Sequence, residues 1–127
     1  MTLRELLIWL VRRNKSALIE RLRRNTERDG ECLIWIRAKN NDNYPKMNFR
    51  VLGKHVQVYV HRLMYVLHTG HDIPDDLELD HTCNRRDCVA PKHLEAVTHA
   101  VNMERMFNRR YTPEEVQQMF DEMEECL

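Results

Sequence analysis

The sequence predicts a small α+β domain, and three patterns that follow one another along the chain support this fold class. Leucines at helical spacing occupy the beginning of the chain, and period-two alternation occupies its middle. A polar loop with two cysteines then lies between two short strand-like segments that lead into a further helix. With 127 residues the chain has room for one compact domain with short additions. We therefore expect a short antiparallel sheet and a strand–strand–helix core, with helices at both ends.

Residues 3–24 are predicted to be helical. Apolar residues recur there at three- and four-residue steps between charged ones: Leu3, Leu7, Leu10, Val11, Leu18 and Leu22. The step Asn14-Lys15-Ser16 can divide this stretch into two helices, with Ser16 as a plausible N-cap. A turn is expected at residues 27–30, which end in Asp29-Gly30.

Strands and helices alternate through the rest of the chain. The predicted strands are residues 32–36, 47–51, 77–80 and 94–97, together with the alternating valines 56, 58 and 60. A helix over residues 61–68 is expected to end at Gly70, since glycine suits the position that follows a helix. Thr98 is expected to cap a helix that continues through Asn102 to about Phe107. Thr112 and Pro113 open a last helix.

The net charge of zero hides an uneven distribution. From Thr112 onward the chain has six acidic residues and no Lys or Arg, which leaves 20 basic and 14 acidic residues in the rest. Six of the bases lie near the beginning of the chain: Arg12, Arg13, Lys15, Arg21, Arg23 and Arg24. This concentration fits contact with phosphate, and a solvated helix face explains it equally well. We divide the chain into a basic amphipathic helical segment (1–29), a central domain (30–110) and an acidic C-terminal helix (111–127).

The sequence also indicates the compartment. The apolar stretches are interrupted by charge before they could span a bilayer, and the N-terminus lacks the residue order of a secretory signal. We therefore expect a cytoplasmic protein without a membrane partner. In a reducing compartment, four cysteines indicate metal binding or chemistry before they indicate disulfides.

The polar loop carries three candidate metal ligands. Cys83 and Cys88 are separated by turn-forming residues, and His93 follows at the same distance. Two thiolates and an imidazole supply three of the four ligands of a tetrahedral zinc ion. Cys32, at the edge of a predicted strand, is the natural fourth ligand, whereas Cys126 lies at the end of the acidic tail and is expected to be a spectator.

A pair of buried free cysteines or a disulfide is the alternative interpretation of Cys83 and Cys88. The loop between them has too few apolar residues to hold itself by packing. A structural zinc ion contributes on the order of 10 kcal/mol to such a loop. The zinc interpretation is therefore favoured.

A zinc ion with four protein ligands has no open position for water, so catalysis requires a second centre. Asp80 and His81 are adjacent at the end of a predicted strand, and Asn102 can approach Asp80 if the hairpin folds back on the following helix. Carboxylate and amide oxygens suit a hydrated magnesium ion, with manganese or another divalent ion as alternatives. A neutral imidazole beside that ion can deprotonate water at pH 7. Without this context, a histidine beside an aspartate is more often structural.

These residues resemble a known motif. Asp80-His81, His93 and Asn102 resemble the HNH motif of the ββα-metal (His-Me finger) endonucleases, with His93 at the central position where many members have Asn. The spacing His81-x-Cys83-x4-Cys88-x4-His93-x8-Asn102 is similar to that of the His-Cys box homing endonucleases. Similarity to small phage-type HNH proteins lies in Cys32-Leu33-Ile34-Trp35, His61-Arg62-Leu63 and Leu94-Glu95-Ala96-Val97-Thr98.

The resemblance covers roughly residues 32–105 and implies a zinc-stapled ββα-metal core in a metal-dependent DNA endonuclease that nicks DNA or cuts both strands. It implies that His81 is the general base, and that Asp80 and Asn102 hold the catalytic divalent ion. The implied structural zinc ligands are Cys32, Cys83, Cys88 and His93. Arg62 or Arg85 is expected to contact the phosphate, although either could equally be a surface residue. If the protein is phage-encoded, the host cytoplasm is the expected location.

One departure from the His-Cys box pattern affects this assignment. Those enzymes have a second Cys/His zinc cluster after the catalytic Asn, where this chain has only Cys126. We therefore expect an HNH nuclease with one structural zinc ion, and the choice between monomer and homodimer stays open. The rival hypothesis is a non-catalytic zinc-containing DNA-binding or regulatory protein derived from an HNH nuclease, and a purely structural or host-interaction protein is a third. The intact Asp80, His81 and Asn102 favour the nuclease, since binding alone requires none of them.

Overall fold

The computed structural model describes residues 2–125. The helices are α1 (Leu3–Arg13), α2 (Lys15–Arg24), α3 (Val60–Thr69), α4 (His99–Arg110) and α5 (Pro113–Glu125). The strands are β1 (Thr26–Asp29), β2 (Cys32–Trp35), β3 (Lys46–Val51), β4 (Lys54–Tyr59), β5 (Glu78–His81) and β6 (Leu94–Val97). Each strand pairs antiparallel with its neighbour in sequence, which gives three two-stranded hairpins. The predicted α+β class is confirmed.

The first stretch of the chain forms two helices, separated at Asn14. The Asn14 side chain accepts a hydrogen bond from the backbone N–H of Ala17 and so caps α2. The expected cap at Ser16 is therefore wrong: the Asn amide oxygen reaches the free N–H groups first, and Ser16 lies inside the helix. Four members of the predicted apolar stripe are buried, Leu7, Val11, Leu18 and Leu22, whereas Leu3 is exposed and Leu10 is half-buried.

One hydrophobic core joins these helices to the middle of the chain. Leu18 and Leu22 belong to the same buried cluster as Trp35, Val58 and Leu63. The N-terminal helices thus pack on residues that lie within the central segment 30–110, and α1 packs against both α3 and α2. Burial of large side chains is the main favourable contribution to folding, so α1 and α2 contribute to the stability of the whole domain.

The hairpin β1–β2 differs from the expectation. A turn was predicted at residues 27–30, but most of that segment is strand, with Asp29 paired to Cys32. The chain reverses at Gly30 and Glu31, and Gly30 has a φ of +61°. All four residues of β1 are polar and largely exposed, so no apolar alternation marked them as a strand.

The last two strands and α4 form a ββα unit. Asp80 pairs with Glu95 and His81 pairs with Leu94 across the β5–β6 hairpin. Thr98 caps α4 as predicted, since its hydroxyl accepts a hydrogen bond from the Val101 N–H at 3.2 Å. The helix continues beyond the predicted end to Arg110. This unit places the end of β5 beside the first turns of α4.

The C-terminal helix α5 begins as predicted. Thr112 and Glu115 exchange hydrogen bonds of 3.1 Å between side chains and backbone N–H groups, a reciprocal capping arrangement. None of its described side chains is buried, and Phe120 and Met123 are exposed. Across residues 2–125, no helix combines the length and the apolar character needed to cross a membrane.

Candidate functional site

The structure brings together the four predicted ligands of the first metal site. The ligand atoms of Cys32, Cys83, Cys88 and His93 all lie within 4.8 Å of one another. His93 Nδ1 is 3.5 Å from Cys32 Sγ and 3.4 Å from Cys88 Sγ. Tetrahedral zinc, with bonds of about 2.3 Å to sulfur and about 2.0 Å to nitrogen, would place these atoms about 3.6 Å apart. The donor set and its separations therefore fit a zinc ion.

Backbone pairing explains why distant residues meet in this cluster. The loop between Cys83 and His93 lies along β2, where the Val89 N–H donates to the Leu33 carbonyl at 2.8 Å and Trp35 N–H donates to the Asp87 carbonyl at 2.9 Å. A short 3-10 helix over Pro91–His93, which the sequence analysis did not predict, turns the imidazole toward the thiols. Cys126 lies outside the described residues.

Two thiols of the cluster, those of Cys32 and Cys83, resist ionisation. Burial, reinforced by the neighbouring thiols, raises the pKa of Cys32 to about 12, and burial also raises the pKa of Cys83. Since zinc binds thiolates, loading of this site must release protons.

The three predicted catalytic residues meet at a second place. Asp80, His81 and Asn102 line one cavity of about 100 Å³. The rest of its wall consists of Tyr44, Leu79, Asn84, Arg86, Met106 and Arg109. A water molecule takes up about 30 Å³ in the liquid, so the cavity has room for a few waters.

His81 is a buried residue that lines this cavity. Its Nε2 is buried and has no hydrogen-bond partner among residues 2–125. Burial lowers the pKa of His81 below its ordinary value, and the neighbouring Asp80 opposes this only in part. The ring is therefore neutral at pH 7, which is the state that a general base requires.

His61 is a half-buried histidine beside His81. Its ring packs against His81, Tyr44 and Tyr59, with centroid distances of 5.3, 5.4 and 5.6 Å. Its Nδ1 has no hydrogen-bond partner in the part of the chain that the structure describes. Burial lowers the pKa of His61 to about 3, helped by its neighbours His81 and Arg62.

Asp80 is fully engaged by two arginines. Arg109 Nη1 and Nη2 donate to Asp80 Oδ1 and Oδ2 at 2.9 Å each, and Arg105 Nη1 donates to Oδ2 at 3.1 Å. Arg105 also donates to Glu95 at 2.8 Å. The hydrogen bonds from Arg109 are the largest reason that the pKa of Asp80 is lowered, so this buried carboxyl is ionised at neutral pH.

Asn102 does not contact Asp80 directly, contrary to the expected approach of the two side chains. Its Nδ2 donates to Glu78 Oε1 at 2.6 Å, a bond that also lowers the pKa of Glu78. Glu78 and Asp80 lie two residues apart and so share one face of β5. Glu78 meets Asn102 near the start of α4, and Asp80 meets Arg105 and Arg109 one and two turns further along. The amide oxygen of Asn102 takes no part in the bond to Glu78.

The structure does not bring Arg62 or Arg85 to the cavity, where one of them was expected to contact a phosphate. Arg62 forms a two-pronged contact with the buried Asp72, and Arg4 donates to the same carboxylate at 3.3 Å. Arg85 donates to Asp29 at 2.7 Å. These pairings tie separate segments of the fold together.

Arg86 and Arg109 are the arginines that line the cavity, and neither was predicted from the sequence. Helical spacing could have indicated Arg109. Arg105 and Arg109 follow Asn102 by three and seven residues, so the three side chains share one face of α4. Arg86 stacks over the ring of Tyr44, with 5.3 Å between the guanidinium carbon and the ring centroid. No local pattern in the sequence predicts that contact.

Comparison with known proteins identifies the central segment. Residues 58–104 match the family model described as HNH endonuclease, and this match confirms the resemblance to HNH nucleases. No curated protein and no solved structure matches the chain. The matched segment includes Asp80, His81 and Asn102, as well as the three later residues of the Cys/His cluster, and it excludes Cys32 and Arg109. The match supports an HNH nuclease, and it covers β5, β6 and the first half of α4, the elements that carry Asp80, His81 and Asn102.

Proposed function

We propose that the protein is a metal-dependent DNA endonuclease that hydrolyses phosphodiester bonds at the His81 cavity. The observation that carries the proposal is the meeting of a neutral, buried His81 with Asp80 and Asn102 at one cavity inside the segment matched by the HNH endonuclease family. The nuclease class rests on the family, and the roles of individual residues rest on the geometry.

The proposed reaction begins with proton transfer to His81. The neutral imidazole of His81 takes a proton from a water molecule, and the resulting hydroxide attacks the phosphorus in line with the leaving 3′ oxygen. The bond between phosphorus and the 3′ oxygen breaks, and the leaving oxygen takes up a proton from solvent water. The products carry a 5′ phosphate and a 3′ hydroxyl. Arg86 and Arg109 face the cavity and stabilise the negative charge that develops on the phosphoryl oxygens.

The carboxylate of Asp80 and the amide oxygen of Asn102 are the proposed ligands of a hydrated divalent ion, with Mg²⁺ as our choice and Mn²⁺ as an alternative. These are hard oxygen ligands at one small cavity, so their chemistry fits such an ion. When bound, the ion supplies positive charge that stabilises the leaving oxygen.

We assign a structural role to zinc in the Cys/His cluster. All four positions are taken by Cys32, Cys83, Cys88 and His93, which leaves no place for water. Cys83 follows His81 by two residues, and Cys32 begins β2. A zinc ion there would hold the loop after β5 against β2 and so keep His81 in place.

A non-catalytic zinc-containing DNA-binding or regulatory protein is the second candidate. The observation that favours it is the complete engagement of Asp80 by Arg105 and Arg109, since a metal ligand would be expected to be free. Such a protein would keep the zinc cluster and bind duplex DNA without cleaving it.

Plasmid nicking in Mg²⁺ distinguishes the two. We expect zinc-loaded wild-type protein to nick supercoiled plasmid and His81→Ala to be at least about 100-fold slower, because general-base catalysis contributes about that much or more. His68→Ala is the matched control, since His68 is exposed on α3, away from the cavity. Undiminished activity of His81→Ala would refute the mechanism. Duplex binding without cleavage by the wild type, in Mg²⁺ and in Mn²⁺, would support the second candidate.

A further inference from the structure

The arginine pair on Asp80 has a consequence for how the cavity is loaded. We infer that Arg109 exchanges partners: it holds Asp80 in the free protein and a DNA phosphate in the complex, so that Asp80 becomes available to a divalent ion only when substrate is bound. This inference rests on the proposed endonuclease function. It assigns Arg109 a role in substrate-dependent metal binding.

Arg109 and a divalent ion cannot bind the carboxylate of Asp80 at the same time. Both carboxylate oxygens accept hydrogen bonds from Arg109 at 2.9 Å, and the Asp80 side chain is only 3% exposed. A magnesium ion must approach a carboxylate oxygen to about 2.1 Å. Two guanidinium charges within hydrogen-bonding distance of those oxygens would repel it strongly, since charge repulsion is weakly screened at a buried site. The arrangement seen here is therefore the ion-excluding one.

Arg105 and Arg109 differ in whether they keep another carboxylate partner when Asp80 binds an ion. Arg105 already shares Glu95, a half-exposed carboxylate that lies opposite Asp80 across the hairpin. Arg105 thus keeps a partner if Asp80 turns to an ion. Within residues 2–125, Arg109 forms no ion pair other than the one with Asp80. Arg109 therefore needs a new anion to leave Asp80.

A DNA phosphate in the cavity is an anion that Arg109 can bind in place of Asp80. Arg109 lines the same cavity as His81, and its side chain is 26% exposed, so the guanidinium can be reached from solvent. The planar guanidinium binds phosphate through two hydrogen bonds, just as it binds the carboxylate here. A phosphodiester at His81 would thus draw Arg109 from Asp80. Because linkage is reciprocal, the ion should then tighten duplex binding to the same degree that the duplex tightens ion binding.

Manganese binding to the free, zinc-loaded full chain tests the exclusion. Free Mn²⁺ is measured by electron paramagnetic resonance without DNA, for wild type, Arg109→Gln and Arg110→Gln. Arg110 is the matched control, because it lies on the same helix, is exposed, stacks on Tyr111 at 5.9 Å and carries the same charge. We expect Arg109→Gln to bind Mn²⁺ at least about tenfold more tightly than wild type, and Arg110→Gln to differ by less than about twofold. Equal or weaker binding by Arg109→Gln would overturn the inference.

Two further measurements keep the result unambiguous. If Arg109→Gln does not fold, Arg109→Lys replaces it. Lysine keeps the positive charge but cannot bind both carboxylate oxygens of Asp80, so we expect a smaller rise in Mn²⁺ affinity. No rise would contradict the inference.

The coupling between Mn²⁺ binding and duplex binding is measured by fluorescence anisotropy of a labelled duplex at constant ionic strength, in a His81→Ala background that prevents cleavage. Mn²⁺ should tighten duplex binding at least about fivefold when Arg109 is present, and clearly less in Arg109→Gln.

The outcome also separates this inference from the proposed function. Wild-type nicking together with unchanged Mn²⁺ affinity in Arg109→Gln would refute the inference and leave the endonuclease proposal standing. Tighter Mn²⁺ binding in Arg109→Gln, in a protein that binds duplex but never cleaves it, would support the exclusion of the ion and refute the nuclease.

Discussion

Asp80 and Arg109 are joined by two hydrogen bonds of 2.9 Å between the end of β5 and the last turn of α4. The carboxylate is buried and Arg109 is about a quarter exposed, so the pair lies at the boundary between core and cavity. It ties α4 to the hairpin that carries His81. The same contact thus contributes to the geometry of the site and limits access to one of its proposed metal ligands.

Asp80→Asn should destabilise the fold as well as reduce cleavage. The substitution leaves Arg109 without a carboxylate partner in a partly buried position, and breaking such a pair costs about 2 kcal/mol after allowance for solvent screening. Urea denaturation of the zinc-loaded protein measures this. Glu95→Gln is the control, because Glu95 is half exposed and should lose less than about 1 kcal/mol. Equal losses of unfolding free energy in the two variants would show that the buried pair contributes no more to stability than the exposed one.

Loss of one cluster thiol should remove zinc and lower the melting temperature. Cys88 is fully buried, and in Cys88→Ser the hydroxyl is a poor zinc ligand in a site that otherwise holds the loop against β2. We expect bound zinc to fall below half of the wild-type content and the melting temperature to fall by more than about 10 °C. Atomic absorption and thermal unfolding measure the two quantities. His55→Ala, a change at an exposed histidine outside the cluster, should alter neither.

Arg62→Ala should affect stability more than chemistry. The substitution leaves the buried Asp72 with Arg4 as its remaining basic partner, and we expect a loss of about 2 kcal/mol in the free energy of unfolding. The cleavage rate well below the melting temperature should stay within about threefold of wild type, since Arg62 does not line the cavity. A well-folded Arg62→Ala protein that cleaves 100-fold more slowly would instead support direct contact between Arg62 and the phosphate.

His61 should make the fold sensitive to mild acid. The unfolded chain binds a proton at His61 near pH 6.5, whereas the folded protein does so only near pH 3. Stability from the neutral ring is therefore complete above pH 6.5 and declines as the pH falls, by about 1 kcal/mol between pH 7.5 and 5.5. In His61→Gln that part of the pH dependence should vanish. Urea denaturation at the two pH values checks this, and an unchanged difference between them would contradict the assignment.

Sequence reasoning predicted the parts of the site that are close in sequence or fixed by ligand chemistry. Cys83, Cys88 and His93 lie on one loop, and their residue types together with their spacing indicated zinc before any fold was known. His81 and Asn102 were predicted as site residues from their places at the end of a short strand and on a capped helix, together with the resemblance to the HNH motif. The geometry of the cluster depends in addition on Cys32, whose proximity comes from pairing of the loop with β2.

Partner choice among charged side chains could not be predicted in the same way. Whether Asp80 faces Asn102 or Arg109 depends on how α4 is rotated and shifted against β5, and several carboxylates and arginines on these elements could pair in more than one way. Tyr44 reaches the His81 ring, at a centroid distance of 5.9 Å, from a loop far away in sequence. Strand β1 was missed because backbone pairing alone, without apolar alternation, holds it in place.

Chemical rescue of His81→Ala tests the central claim most directly. Single-turnover cleavage of a defined duplex is measured with zinc-loaded His81→Ala in Mg²⁺, with and without added imidazole. If the neutral ring of His81 accepts the proton of the attacking water, the variant should be at least about 100-fold slower than wild type, and imidazole should restore part of the rate in a saturable way without accelerating wild type. A His81→Ala protein that cleaves at the wild-type rate without imidazole would contradict the account.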